Sequence, residues 1–264
     1  MLKLRVITAA ILIPIVLYIL FAASPGVFRF ATAVVVCLAA WEWPTLMGDN
    51  NPLLRMGYVI MLVAFLFISH FIGLKLLLIL TALSWLILGY WVLNYPAKQP
   101  WAKKWRIGML GIIVILPFYL SLNYLRELPH AHSLLFLLLM LIWGADTSAY
   151  FVGRRYGRSK LIPNVSPNKS WQGFYAALCS GFLIALIAII WLNAILGYGF
   201  IILALVTTLA SILGDLAESM FKRAQGVKDS GNILPGHGGI LDRIDSLTAA
   251  APIYTLGIIL LGVN

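Results

Sequence analysis

The chain has 264 residues, 62% of them hydrophobic and only 11% charged, with a mean hydropathy of +0.96. Soluble domains carry about 45–50% apolar and about 25% charged residues, so soluble folds, disordered chains, coiled coils and disulfide scaffolds are excluded and a membrane-embedded protein is implied. The net charge of +10 invites a nucleic-acid reading, but the placement of the charges explains it otherwise.

A membrane helix needs about 20 mostly apolar residues, within a range of about 17–25. Nine windows qualify in chain order: 6–23, 28–46, 56–72, 74–93, 107–125, 133–149, 173–192, 199–216 and 247–262. The first follows Lys3 and Arg5 as a signal peptide would. Its apolar run exceeds the about 7–15 residues of a signal sequence, so it reads as an uncleaved span. Ser24-Pro25-Gly26, Asp49-Asn50-Asn51-Pro52, Asn94-Tyr95-Pro96, Pro129 and Gly197 mark breaks. Only Gly73 divides the third window from the fourth, and the ninth is short.

The expected fold is therefore all-α: a polytopic membrane protein of about nine transmembrane helices, N-terminus cytoplasmic and C-terminus on the opposite side. The orientation follows the excess of Lys and Arg in cytoplasmic loops. Of the 19 such residues, only Arg29, Lys75 and Arg126 then fall on the far side. That asymmetry accounts for the basic balance with no nucleic acid. Cys37 and Cys179 lie in apolar runs and read as packing residues. Residues 1–125 form an N-terminal region of five spans. Residues 126–264 form a C-terminal catalytic region with long cytoplasmic loops at 150–172 and 217–246, and long ordered loops are usually functional.

The acidic residues point to chemistry. Of nine in the chain, Asp215, Glu218, Asp229, Asp242 and Asp245 fall between 215 and 245, and Asp146 ends the sixth window. Carboxylates in apolar spans are expensive and mark functional sites by default. The topology puts Asp146, Asp215, Asp242 and Asp245 in one layer near the cytoplasmic headgroups. Hard oxygen ligands there suit Mg²⁺, which takes one or two carboxylates and completes its shell with water and phosphates. Ion pairing with Lys222, Arg223 or Arg243 is the alternative for any one of them.

Gly236, Gly238 and Gly239 bracket His237 in a turn whose backbone N–H groups could cradle an anion. Lys222, Arg223, Lys228 and Arg243 flank it and suit phosphate. Lys169 and Ser170 stand near the start of the seventh span, where a helix N-terminus favours phosphate. Arg154, Arg155, Arg158 and Lys160 read equally as a phosphate site or as a topology-holding stretch. Glu42, between Trp41 and Trp43, reads as part of an interfacial anchor. His70, His130 and His132 read as interfacial on the outer side.

The segment from Ser219-Met220-Phe221-Lys222-Arg223 through Lys228-Asp229-Ser230-Gly231 to Leu234-Pro235-Gly236-His237-Gly238-Gly239-Ile240-Leu241-Asp242-Arg243-Ile244-Asp245 resembles the signature of the phosphatidate cytidylyltransferases, the CDP-diacylglycerol synthases. A weaker block, Ala145-Asp146-Thr147 with Ser166-Pro167-Asn168-Lys169-Ser170-Trp171, is similar to a second stretch of that family. Ser148 and Gln172 depart from it, standing where many members have glycine and glutamate. The N-terminal half resembles the family only in character.

The resemblance implies transfer of CMP from CTP to phosphatidate, Mg²⁺ dependence with a second metal ion left open, and a homodimer. It implies an integral protein of the cytoplasmic membrane with its active site facing the cytoplasm. On that basis Asp215 and Asp242 are expected to hold the metal, with Asp146 and Asp245 as further ligands or as groups behind the ligands. Lys222, Arg223, Asp242 and His237 form the expected catalytic group. Lys169, Ser166, Ser219, Lys228, Gly236, Gly238, Gly239 and Arg243 are expected to bind substrate. Two rivals carry different chemistry. A related CTP-using lipid enzyme would differ in lipid preference. A transporter would place carboxylates at the bilayer midplane among broken helices.

Overall fold

Inside a bilayer each segment must satisfy its own backbone hydrogen bonds, so apolar runs of this length fold as helices. The computed structural model describes residues 2–97, 99–192 and 197–263, without the side chains of 2–7 and 9. Lys98 and the side chains of Lys3 and Arg5, all members of the expected charge pattern, lie outside the described residues.

The described residues form nine helices: α1 (Leu2–Phe21), α2 (Pro25–Leu46), α3 (Pro52–Ser69), α4 (Leu74–Leu93), α5 (Lys104–Glu127), α6 (Ala131–Tyr156), α7 (Trp171–Trp191), α8 (Gly199–Ala224) and α9 (Leu241–Leu260). Between α6 and α7 lies a hairpin of β1 (Lys160–Ile162) and β2 (Ser166–Ser170), antiparallel with Ile162 opposite Ser166. Seven helices, α2 to α8, are long and apolar enough to cross a membrane. In α9 the first turns carry Asp242, Arg243 and Asp245, which dilute its apolar run.

The punctuation read from sequence acts as caps and breaks. Ser24 Oγ accepts the Val27 N–H with Pro25 opening α2, and Asn51 Oδ1 accepts the Leu53 N–H with Pro52 opening α3. These residues satisfy amides that a helix start leaves unpaired. Ser170 Oγ caps α7 by accepting the Gly173 N–H at 3.2 Å.

The two catalytic-half loops are shorter than expected. Helix α6 continues to Tyr156 and α8 to Ala224, while α9 already begins at Leu241. Asp146 is thus ten residues before its helix end and Asp215 nine, or about 15 and 13 Å at 1.5 Å per residue. Hydropathy windows stop where charges begin, but a helix needs only its backbone bonds and runs on past them.

Helix α9 packs against α2, α4, α5, α6 and α8, and α6 lies along α7. Ala249, Ala250 and Ala251 of α9 are fully buried. Small residues of this kind let membrane helices approach closely. Gly214 makes one such close approach: a side chain there would meet the Asp245 carbonyl and the Ala249 methyl. In α5, 67% of the apolar window is buried, against 17% in α3, so α5 is central and α3 peripheral.

Candidate active site

A cavity of about 710 Å³ opens between α6, α7, α8 and the β1–β2 hairpin. That falls in the range of about 300–1,000 Å³ usual for small-molecule sites. Asp146, Tyr150 and Arg154 line it from α6, Lys160, Ser166, Asn168 and Lys169 from the hairpin, and Asp215 from α8. Lys169 Nζ stands 2.8 Å from Asp215 Oδ2, and Ser219 Oγ, one helical turn on, donates to Asp215 Oδ1 at 3.3 Å. Arg154 donates to the Tyr150 hydroxyl at 2.9 Å and sits over its ring.

A second constellation lies on α8, α9 and the loop between them. Lys222 Nζ is held 2.8 Å from Asp242 Oδ1 and 3.3 Å from Glu218 Oε1. The Asp242 carboxylate also accepts the Gly239 N–H at 2.8 Å and the Ser230 N–H at 3.0 Å. It therefore closes the loop onto the start of its own helix. Asp245 joins the two constellations, because its charge acts on Asp215 and Lys169 on one side and on Lys222 and Glu218 on the other. Asp146 is likewise within electrostatic reach of Asp215 and Lys169.

The predicted residues thus divide. Asp146, Asp215, Lys169, Ser166 and Ser219 belong to the cavity group. Lys222, Asp242 and the glycine turn belong to the loop group. Gly236 and Gly238 take positive φ values of 77° and 84°, a backbone region that glycine reaches without strain. The Leu234 N–H donates to the Gly238 carbonyl, and the His237 N–H to the Leu234 carbonyl, both at 2.9 Å. The amides of Gly239 and His237 are therefore already engaged inside the protein. His237 also fixes Arg243, whose guanidinium donates to its carbonyl at 2.7 and 3.1 Å. Arg223 donates to the Val165 carbonyl at 3.4 Å, tying α8 to the hairpin. Arg223, Lys228 and Arg243 are exposed. Gln172, where the family pattern has an acid, accepts the Arg158 N–H at 3.1 Å and braces the hairpin.

Among the described residues, no three His, Cys, Asp or Glu side chains are gathered closely enough to hold a metal ion on their own. Asp215 and Asp242 each carry a lysine instead. Such a donor set does not build an all-protein cage. It fits the other mode open to Mg²⁺, in which one or two carboxylates act with water and substrate phosphates.

Glu42 corrects the sequence reading. It is 1% exposed, enclosed by protein rather than turned outward as an anchor. Its Oε2 accepts the Leu241 N–H at 2.9 Å and the Ser230 hydroxyl at 3.4 Å. Trp43 is buried as well and donates from Nε1 to the Ile107 carbonyl at 2.9 Å. Trp41 alone resembles the expected anchor, with the Arg55 guanidinium over its ring. A buried acid inside an apolar span was the available signal.

The described residues thus form a bundle of mostly apolar helices with a cavity lined by carboxylates and lysines. Residues 3–261 match the Cytidylyltransferase family, and the chain belongs to it. It is 41% identical to the phosphatidate cytidylyltransferase of Pseudomonas aeruginosa, over 96% of each chain. It is 40% identical to that of Haemophilus influenzae, over 97% of this chain and 98% of the relative. With the phosphatidate cytidylyltransferase of Brucella abortus it shares 34% identity over 97% of this chain and 92% of the relative.

Proposed function

We propose that this chain is a phosphatidate cytidylyltransferase, joining CTP to phosphatidate and releasing CDP-diacylglycerol and pyrophosphate. The observation that carries the reading is the cavity of nucleotide size lined by Asp146, Lys169 and Asp215, with the 219–245 segment packed beside it. The relatives are named for this activity.

Lys169, Ser166 and Asn168 of the hairpin take phosphate oxygens of CTP in this reading. Arg223, Lys228 and Arg243, exposed on α8, on the loop after it and on α9, serve the phosphate of either substrate. The lipid phosphate is the nucleophile. A phosphomonoester loses its second proton with a pKa of about 6, so it is mostly dianionic at neutral pH and needs no strong protein base. Its oxygen bonds to the α-phosphorus of CTP, the bond from that phosphorus to the bridging oxygen breaks, and pyrophosphate leaves. Catalysis of this kind is positioning plus charge stabilisation. Asp215 and Asp242, with Asp146 and Asp245 behind them, would hold Mg²⁺, which supplies neutralising charge to the leaving pyrophosphate. Lys169 and Lys222 hold the carboxylates apart and ordered until phosphate oxygens draw the ammonium groups away.

The same reading places all nine helices across the cytoplasmic membrane, N-terminus inside and C-terminus outside, in a homodimer, with the cavity facing the cytoplasm. CTP and phosphatidate headgroups then meet at one depth. The test is turnover by purified protein in detergent with CTP and phosphatidate, with and without Mg²⁺, following both products. Lipid- and metal-dependent release of pyrophosphate with CDP-diacylglycerol supports the proposal. CDP as product would make the protein a lipid kinase, and no turnover with any phosphorylated lipid would reject both.

A further inference from the structure

Glu42 has no part in the chemistry proposed above, yet it reaches from α2 into the loop that precedes α9. Ile240, at the N-terminal boundary of α9, supplies no side-chain cap. The first amides of a helix need acceptors, and an anion there is favoured by the helix dipole. Glu42 provides both from across the fold, accepting the Leu241 N–H at 2.9 Å and the hydroxyl of Ser230, which is fully buried. The fit is close on both sides of the loop: a side chain at Gly231 or at Gly239 would run into the Glu42 carboxyl group. Asp242, the second residue of α9, holds the Ser230 and Gly239 amides from the other side and carries Lys222. Glu42 and Asp242 therefore clasp one loop between them. The neighbouring Trp43 fixes the position of α2 there by its bond to Ile107 and its edge contact with Phe221.

We propose that Glu42 is a positioning residue, whose carboxylate caps α9 in place of a local side chain and thereby holds Asp242 and Lys222 in register with the cavity. The proposal rests on the cytidylyltransferase reading. It gives the N-terminal half a direct role in shaping the site.

Glu42→Gln, Glu42→Asp and Gly231→Ala test it in the full-length protein in detergent. Readouts are kcat, KM for each substrate, thermal midpoint, and hydrogen exchange of the peptide spanning 228–245. Turnover by the unaltered protein separately tests the underlying reading, so the two failures are distinguishable. Glu42→Gln is expected to lower kcat by about tenfold or more, leave KM for phosphatidate within about twofold, and speed exchange at 228–245. Glu42→Asp keeps the charge and recovers part of the loss. Gly231→Ala alone lowers kcat, and combining it with Glu42→Asp, which withdraws the carboxylate, restores part of it. A Glu42→Gln protein with unaltered kcat and exchange overturns the proposal. So does one whose only defect is a lower yield of folded protein with full activity per folded molecule. If Glu42→Gln does not fold, absence of mutual rescue between Gly231→Ala and Glu42→Asp overturns it.

Discussion

Asp242 accepts two loop amides and one ammonium group, so its substitution acts on structure and chemistry together. Asp242→Asn keeps an oxygen for Gly239 but leaves Lys222, only 13% exposed, with Glu218 as its remaining close ion pair. Activity is expected to fall by about 100-fold or more, the scale of removing one stabilising group from an electrostatic site. The protein should still insert into membrane, and full activity in that variant would remove Asp242 from the metal assignment. Lys169→Met should act differently, because Lys169 lines the cavity outside the loop. Its loss removes a charge-assisted bond worth about 1.5–3 kcal/mol, so KM for CTP should rise about tenfold or more, and a steady-state titration of CTP reads it. The lipid nucleophile sets a third outcome. Protonation of its second oxygen below about pH 6 should depress kcat on the acid side, as a pH profile with saturating CTP would show. Residue type and spacing single out Asp215, Asp242, Lys169 and Lys222 as candidates, and the structure pairs them. The partners were not: Lys169 pairs with Asp215 across 46 positions of sequence and Glu42 with Leu241 across 199. No local pattern encodes which distant loop a span will meet.

At the scale of elements, two contacts position the catalytic layer. Ser170 is both the end of β2 and the cap of α7, so the hairpin bearing Lys169 is fastened to a helix start. Ser170→Ala should cost about 0.5–2 kcal/mol, the usual price of losing such a cap, read as a lower thermal midpoint in detergent. Helix α8 meets α9 closely at Gly214, next to Asp215, where a side chain would run into the Asp245 carbonyl. Gly214→Val would push the helices apart in a packed interface, where overpacking costs about 1–3 kcal/mol. Activity should fall further than stability, since the separation opens between the carboxylates of two helices. Nine helices among the described residues, seven of them long and apolar enough to cross a membrane, and the breaks at Ser24-Pro25 and Asn51-Pro52 followed from composition and turn chemistry. The helix ends did not, because α6 and α8 continue as charged helices beyond their apolar windows. Asp146 and Asp215, expected at the ends of their helices, lie well inside them, where packing fixes their direction.

For the whole molecule, the proposed reaction demands one geometry. The β1–β2 hairpin and the 225–240 loop must face the same side, because Arg223 of α8 bonds the Val165 carbonyl of the hairpin. Lys75, opening α4, belongs to the opposite side in the expected topology. These placements follow from alternating spans and the bias of Lys and Arg toward the cytoplasm, and they can be read directly. In a background carrying Cys37→Ala and Cys179→Ala, Lys228→Cys should resist a membrane-impermeant thiol reagent in intact cells and react in inverted vesicles. Lys75→Cys should show the reverse. Lys228 and Lys75 are both exposed, so neither lack of labelling nor misfolding mimics the pattern. Labelling of both sites from one side would break the alternation of spans between them. Labelling of Lys228→Cys from outside would separate the signature loop from cytoplasmic CTP and with it remove the proposed function, whatever the residues of the cavity can bind.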